Sequence, residues 1–206
     1  MPDLTIIPIT LFLSALATAA MSASASIQAV RHDFDAFGAT VLAVATAMGG
    51  GTVRDLLLGR TPVFWMTDLT YLATAIPVSL VVYLWARRID AGGGRRHRIL
   101  MYFDAVGLAL FTLTGVQLGL AAGMSAPIAI ILGCITGTFG GMIRDILCNV
   151  TPSVLKEDLY ATISLLGGAL FVSLRYLEVD PLLTVWLTFA AILVTRTIVI
   201  VRSIRG

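Results

Sequence analysis

Seven long apolar runs cover almost the whole chain, each bounded by charged residues or by clusters of proline and glycine. A run of about 20 apolar residues is long enough to cross a hydrocarbon core of about 30 Å as a helix. The runs do not alternate apolar with polar residues, which favours helices over strands. They predict seven transmembrane helices near residues 4–30, 34–58, 67–87, 99–122, 125–148, 157–177 and 181–201.

The composition agrees with a chain that lies in a membrane rather than in water. Hydrophobic residues make up 58% of the chain and charged residues only 13%, too few to cover the surface of a soluble domain. We therefore expect an all-α integral membrane protein forming a single membrane domain over residues 1–206. The net charge of +2 does not favour nucleic acid as a partner. The first apolar run follows Asp3 and no basic residue except the N-terminus, so we interpret it as a retained helix rather than a signal peptide.

The distribution of arginine predicts the direction of the helices. Five arginines lie in the loop of residues 86–98, and positively charged loops stay on the cytoplasmic side. Alternation then places the N-terminus outside and the C-terminus, with Arg202 and Arg205, in the cytoplasm.

The chain repeats itself at an offset of 90 residues. Identical pairs at this offset are Gly50 and Gly140, Gly51 and Gly141, Arg54 and Arg144, Asp55 and Asp145, Leu57 and Leu147, Thr61 and Thr151, Pro62 and Pro152, Asp68 and Asp158, and Leu69 and Leu159. A unit of three spans that occurs twice must run in opposite directions, because three is odd. The sequence thus predicts two inverted three-helix repeats, about 4–87 and 99–177, and an extra helix at about 181–201.

Glycines interrupt the second and fifth apolar runs, at Gly49, Gly50 and Gly51 and at Gly140 and Gly141. Inverted repeats whose helices break near the midplane are a common plan of transport proteins, where freed carbonyls meet an ion or solute. We therefore expect helices 2 and 5 to be kinked at these glycines. In the alternative interpretation, the glycines only let the two helices cross closely.

Charged residues follow both glycine clusters and need partners inside a membrane. Neighbouring side chains point about 100° apart on a helix, so Arg54 is not expected to pair with Asp55, nor Arg144 with Asp145. The predicted pairs are instead Arg54 with Asp68 and Arg144 with Asp158, the aspartates that open the following spans. Alternatively, the arginines only snorkel towards lipid headgroups.

Further polar residues lie within the first and fourth runs. Ser14, Thr18 and Ser22 recur every four residues along one stripe, which fits either the lining of a wet path or a helix-packing face. In the fourth run, Asp104 fits either a helix-dipole role or cation attraction at an inner vestibule, and Gln117 is a further candidate pore-lining residue.

We expect no catalytic site, metal site or cofactor. The sequence GGGTVRD lacks the Lys-Ser/Thr ending of a phosphate-binding loop, and no nucleophile is accompanied by a base. Cys134 and Cys148 have no CxxC spacing and no neighbouring histidine, so we interpret them as packing residues. Enzymatic activity is therefore not expected.

Three motifs together are similar to those of a known family. AMGGGTVRDLLLGRTPVFW, DAVGLALF and GGMIRDILCNVTPSVLKEDLYA, in this order and spacing, resemble the prokaryotic branch of the trimeric intracellular cation (TRIC) channel family, also labelled a glycine-transporter-like domain. The resemblance implies a homotrimer of seven-helix subunits in the inner (plasma) membrane of a prokaryote, each with its own pore for monovalent cations near the kinked helices. One departure is Phe139, which stands where the first copy has Gly49.

The function that we expect is passive conduction of monovalent cations, potassium or sodium. The expected partners are membrane lipids, and a bound lipid is a further candidate ligand. A fixed arginine beside the path repels a cation, so either aspartates neutralise Arg54 and Arg144 or these arginines act as gates. The alternative is a carrier of a small zwitterion such as glycine, whose carboxylate an arginine suits.

Overall fold

The computed structural model describes residues 6–89, 94–156 and 159–205. Within these ranges the chain forms nine helices. They are α1 Ile6–Arg31, α2 Ala36–Leu57, α3 Phe64–Thr67, α4 Thr70–Arg88, α5 Arg95–Ala121, α6 Ala126–Leu147, α7 Ser153–Lys156, α8 Ala161–Tyr176 and α9 Pro181–Arg205.

Six of these helices are long and apolar enough to cross a membrane, and α8 is a shorter apolar helix of 16 residues. The chain is therefore an all-helical membrane protein. The predicted spans 34–58 and 125–148 agree within two residues with α2 and α6. Helices α3 and α7 were not predicted, because four residues are too few to carry a periodic pattern.

Helices α1 and α5 form the centre of the bundle. Within their most apolar segments, 83% of α1 and 72% of α5 is buried, compared with 28% of α4 and 33% of α9. α1 packs against α2, α4 and α5, and α5 packs against α6, α8 and α9. Buried polar residues lie on the two central helices and also on α2, α6 and α9, while the outer helices α4 and α9 present most of their apolar side chains on the surface of the bundle.

Helices α2 and α6 cross at the glycines, and the contacts are reciprocal. A Cβ atom at Gly50 would overlap the carbonyl oxygen of Thr136, and one at Gly140 would overlap the carbonyl oxygen of Thr46. Both helices are continuous through these positions, so the expected interruption with freed carbonyls is wrong, while a kink at these glycines stays a prediction. The physical reason is that glycine without a side chain lets two intact backbones touch, as small residues do in membranes.

The elements of the two halves correspond in order, and two pairs of them also match in length. α2 and α6 both have 22 residues and α3 and α7 both have four. After this point the first half has one extra residue, because it reads Asp68-Leu69-Thr70-Tyr71 where the second half reads Asp158-Leu159-Tyr160. Tyr71 and Tyr160 therefore occupy equivalent places at the start of α4 and directly before α8.

Candidate functional site

The first candidate site is the buried ion pair at the end of α2. Nε and Nη2 of Arg54 donate to Oδ1 of Asp55, at 2.9 and 2.7 Å. The second carboxylate oxygen, Oδ2, accepts the backbone N–H of Phe64 at 2.9 Å, where α3 begins. This bond turns the carboxylate towards Arg54, while the guanidinium lies 5.4 Å from the centre of the Phe64 ring. Residues that are neighbours in sequence thus form a pair that is 4% and 3% exposed.

A cavity of about 440 Å³ opens beside this pair. Its charged lining side chains are Arg54, Asp55 and Arg60, so two arginines and one aspartate give it a formal charge of +1. Ser14 and Tyr71 form part of the wall. The other lining residues are Gly59, Thr61, Pro62, Phe64, Phe111 and Leu118.

The second candidate site is the equivalent ion pair at the end of α6. Nε and Nη2 of Arg144 lie 2.9 Å from Oδ1 of Asp145, and Oδ2 of Asp145 accepts the backbone N–H of Ser153 at 3.1 Å. Arg144 has a second carboxylate partner, because its Nη1 donates to Oδ1 of Asp104 at 2.7 Å. Nη1 also donates to the hydroxyl of Ser24 on α1.

This second group extends to α8 and α9, and we call Arg144, Asp145, Asp104, Tyr160 and Arg196 the Arg144 cluster. The hydroxyl of Tyr160 donates to Oδ2 of Asp104 at 2.7 Å, and the guanidinium of Arg196 lies 4.4 Å from the centre of the Tyr160 ring. All five side chains are buried. Two arginines and two aspartates balance, as buried charges must.

The predicted pair of Arg54 with Asp68 is wrong, and so is the expectation that each arginine does not pair with the aspartate next to it. Arg54 pairs with Asp55, not with Asp68, whose Oδ1 accepts the backbone N–H of Thr70 at 2.9 Å. Hydrogen bonds from Thr70 lower the pKa of the Asp68 carboxyl. Arg144 pairs with Asp145 and Asp104, and the predicted partner Asp158 lies outside the described residues. The angle between neighbouring side chains was a poor guide, because a long arginine side chain reaches around its helix to a carboxylate that a backbone N–H orients.

The snorkelling alternative is also wrong, since Arg54 is 4% and Arg144 is 2% exposed. Asp104 is the tenth residue of α5, beyond the first turn where the helix dipole acts, and its role is the salt bridge to Arg144.

The serine and threonine stripe of α1 is buried along its length. Ser14 lines the cavity, Thr18 donates to the carbonyl of Ser14 at 2.8 Å, and Ser22 is fully buried. Gln117 is half-buried on α5. The structure thus joins Ser14, Arg54 and Asp55 in one site and Asp104, Arg144 and Asp145 in another, and leaves Thr18 and Ser22 in the helix interface.

Several residues of the two sites were not singled out in the sequence. They are Ser24, Arg60, Phe64, Tyr71 and Tyr160. The repeat itself contains a signal for the two tyrosines, since the DLTY and DLY sequences place a tyrosine after each copy of the repeated aspartate and leucine. The positions of Ser24 and Phe64 depend on contacts between helices and have no local signal.

Fold and site together define a membrane bundle of two matched halves, each with a buried Arg–Asp pair at the end of a glycine-bearing helix. The family model described as "Glycine transporter" matches the chain twice, at residues 11–87 and 101–176. Together with the solved structures below, this match shows that the chain belongs to the TRIC channel family.

Relatives and solved structures agree with this assignment. The UPF0126 inner membrane protein YadS of Escherichia coli K12 is 38% identical over 84% of this chain and 82% of its own length. A UPF0126 membrane protein of Vibrio cholerae is 44% identical over 73% of this chain, which spans 62% of that relative. The TRIC orthologue of Rhodobacter sphaeroides has a TM-score of 0.89 and 35% identity, covering 95% of this chain and 98% of that chain. A prokaryotic TRIC channel in 0.5 M KCl has a TM-score of 0.88 and 29% identity, covering 96% and 98%.

Proposed function

We propose that this protein is a passive channel for monovalent cations, with potassium as the main permeant ion and sodium as a second. The observation that carries this proposal is the match in fold, over nearly the whole chain, to solved structures described as TRIC cation channels. The ion pairs support it, because Asp55 and the aspartates of the Arg144 cluster neutralise the arginines that would otherwise repel a cation.

The assembly that we propose is a homotrimer in the prokaryotic inner membrane, surrounded by lipid, with one pore in each subunit. Each subunit has seven transmembrane helices, arranged as inverted repeats of about 4–87 and 99–177 plus the helix at about 181–201. The N-terminus lies outside and the C-terminus in the cytoplasm. The close contacts of Gly50 and Gly140 support the inverted arrangement, because each glycine lies against the backbone carbonyl of an equivalent threonine on the other helix.

The conduction path that we propose runs from the 440 Å³ cavity towards the Arg144 cluster, past the crossing of α2 and α6. In this structure the crossing is closely packed and the Arg144 cluster is buried, which corresponds to a closed channel. Opening requires α2 and α6 to bend or separate at Gly49, Gly50, Gly51, Gly140 and Gly141. Glycine favours such movement because its backbone is the least restricted.

The test is the current across a planar bilayer that contains the purified protein under a potassium gradient. We expect discrete potassium-selective openings in the wild type and altered openings in Gly50→Ala, with Gly38→Ala as the control in the same helix. A channel does not saturate at low substrate, whereas a carrier saturates and shows exchange. Silence in the bilayer together with saturable glycine uptake into liposomes would contradict the channel.

A second candidate is a carrier of a small zwitterion such as glycine. The description of the family model and the excess of arginine in the cavity favour it. The same pair of experiments separates the two functions.

A further inference from the structure

One difference between the two halves concerns the residue beside the buried arginine, which is a serine in the first half and an aspartate in the second. Ser14 and Asp104 are equivalent at the offset of 90 residues, on the central helices α1 and α5. Each lies in the same site as the equivalent tyrosine, since Ser14 and Tyr71 line the same cavity and Asp104 accepts a hydrogen bond from Tyr160. The first half therefore has the arginine and the tyrosine of the Arg144 cluster, but a short hydroxyl in place of the carboxylate.

The arginine of the first half has an unused donor in the matching position. Nη1 of Arg144 holds Asp104, while the other two nitrogens hold Asp145. In Arg54 the corresponding two nitrogens hold Asp55. Within the described residues, Nη1 of Arg54 has no hydrogen-bond partner, and Arg54 lines the cavity.

The cavity has the size and charge that a small anion requires. Its volume of about 440 Å³ lies within the usual range for small-molecule sites. Its lining side chains carry a formal charge of +1, and Arg60 adds a second guanidinium at the exposed edge. The Phe64 ring packs edge-on against Tyr71 at 4.6 Å and lies beside Arg54, which holds the two donor groups in place.

We propose that the cavity binds a small carboxylate, with its two oxygens on Nη1 of Arg54 and on the hydroxyl of Tyr71. Asp104 shows the binding mode within the same protein, because its Oδ1 accepts from Arg144 and its Oδ2 accepts from Tyr160. The ligand supplies from solution the carboxylate that the first half lacks at Ser14. A planar pair of acceptor oxygens suits arginine better than a halide does. The proposal concerns binding at equilibrium and does not require that the chain conducts cations, although the same cavity is the start of the proposed conduction path.

The test measures binding of radiolabelled acetate and glycine to the purified wild-type protein by equilibrium dialysis at constant ionic strength. We expect saturable binding of both, and displacement of each by the other. Ser14→Asp places the protein's own carboxylate in the site, so binding should weaken by roughly tenfold or more. The matched control Ser14→Asn adds nearly the same volume without the charge and should weaken binding clearly less than Ser14→Asp does.

A second variant tests the site if Ser14→Asp does not yield folded protein. Tyr71→Phe removes one donor and should weaken acetate binding several-fold, while Tyr83→Phe, far along the same helix, should not. The proposal is overturned by absence of saturable binding in the wild type, or by unchanged binding in folded Ser14→Asp. Equal displacement by chloride or phosphate would show general attraction of anions and would also overturn it. The bilayer current is read separately, so a conducting protein without acetate binding refutes this proposal alone.

Discussion

The Arg54–Asp55 pair and the Arg144 cluster contain the same Arg-Asp motif but differ in the groups that surround it. In both, an arginine pairs with the next aspartate, which accepts a backbone N–H nine or eight residues further on. Arg144 then receives a second carboxylate from Asp104 and a serine hydroxyl from α1, while Arg54, which is also buried, borders a cavity. A duplicated motif thus forms a polar cluster in one half and part of a cavity wall in the other.

The two halves also differ in the side chains that face the equivalent glycines Gly141 and Gly51. A Cβ at Gly141 would lie 3.1 Å from the hydroxyl of Tyr160 and 3.2 Å from Oδ1 of Asp104, so the Arg144 cluster packs directly against α6. At the equivalent Gly51 the nearest atom is on the Phe64 ring, at 2.5 Å. An aromatic ring therefore occupies in the first half the space that polar groups fill in the second.

The largest effect is expected at Asp104. Asp104→Asn leaves two buried arginines with one carboxylate, and removing one partner of a buried ion pair costs about 3–5 kcal/mol. We expect the unfolding midpoint of the purified protein to fall sharply. The equivalent change Ser14→Ala removes no charge and should cost less than about 1 kcal/mol. Equal losses in the two variants would refute the difference between the halves.

A smaller loss of stability is expected at the crossing of α2 and α6. In Gly50→Ala the new methyl group meets a backbone carbonyl that cannot rotate away, and overpacking of this kind costs about 1–3 kcal/mol. Gly38→Ala in the same helix has Oδ1 of Asp35, an adjustable side chain, at 3.1 Å and should be close to neutral. Thermal unfolding of both variants measures this contrast. A stable Gly50→Ala would show that the helices do not need this close contact.

The sequence was a good guide to the helices and a poor one to the ion pairs. The span predicted at 125–148 agrees with α6 at Ala126–Leu147, because a long apolar run in a membrane satisfies its backbone hydrogen bonds by forming a helix. The pairing of Arg54 with Asp55 depends on the N–H of Phe64 in a segment that returns to the helix end, a contact without local periodicity. The partner Asp104 lies 40 residues from Arg144, so spacing along the chain does not reveal it.

The third prediction concerns the charge of the cavity. Asp55→Asn raises the formal charge of the cavity from +1 to +2, because both lining arginines remain. The variant also breaks a buried ion pair, so the current is read as single-channel conductance, which a loss of folded protein does not change. A unit charge about 8 Å from an ion costs about 2 kcal/mol at an effective dielectric constant of about 20, and salt reduces this. We expect a roughly three- to tenfold lower potassium current in bilayers. Asp35→Asn, at the opposite end of α2, is the control and should leave the current unchanged.

The smallest effect is expected at Arg60, which lies on the exposed edge of the cavity. Arg60→Gln removes one positive charge, and screening limits the gain in potassium current to about twofold at physiological salt. The gain should increase as the salt concentration falls. A current that is independent of salt in this variant would mean that Arg60 does not act through its charge.

The central claim is that permeating cations pass the cavity beside Arg54, and charge placed at Ser14 tests it directly. The potassium current of Ser14→Cys is recorded before and after reaction with a negative sulfonatoethyl or a positive trimethylammonium-ethyl methanethiosulfonate, with mass spectrometry to verify labelling. The wild type, whose Cys134 and Cys148 are half-buried and buried, is the control. The account predicts a higher current with the negative group and a lower one with the positive group. Complete labelling with no change, or with the same change for both charges, would contradict it.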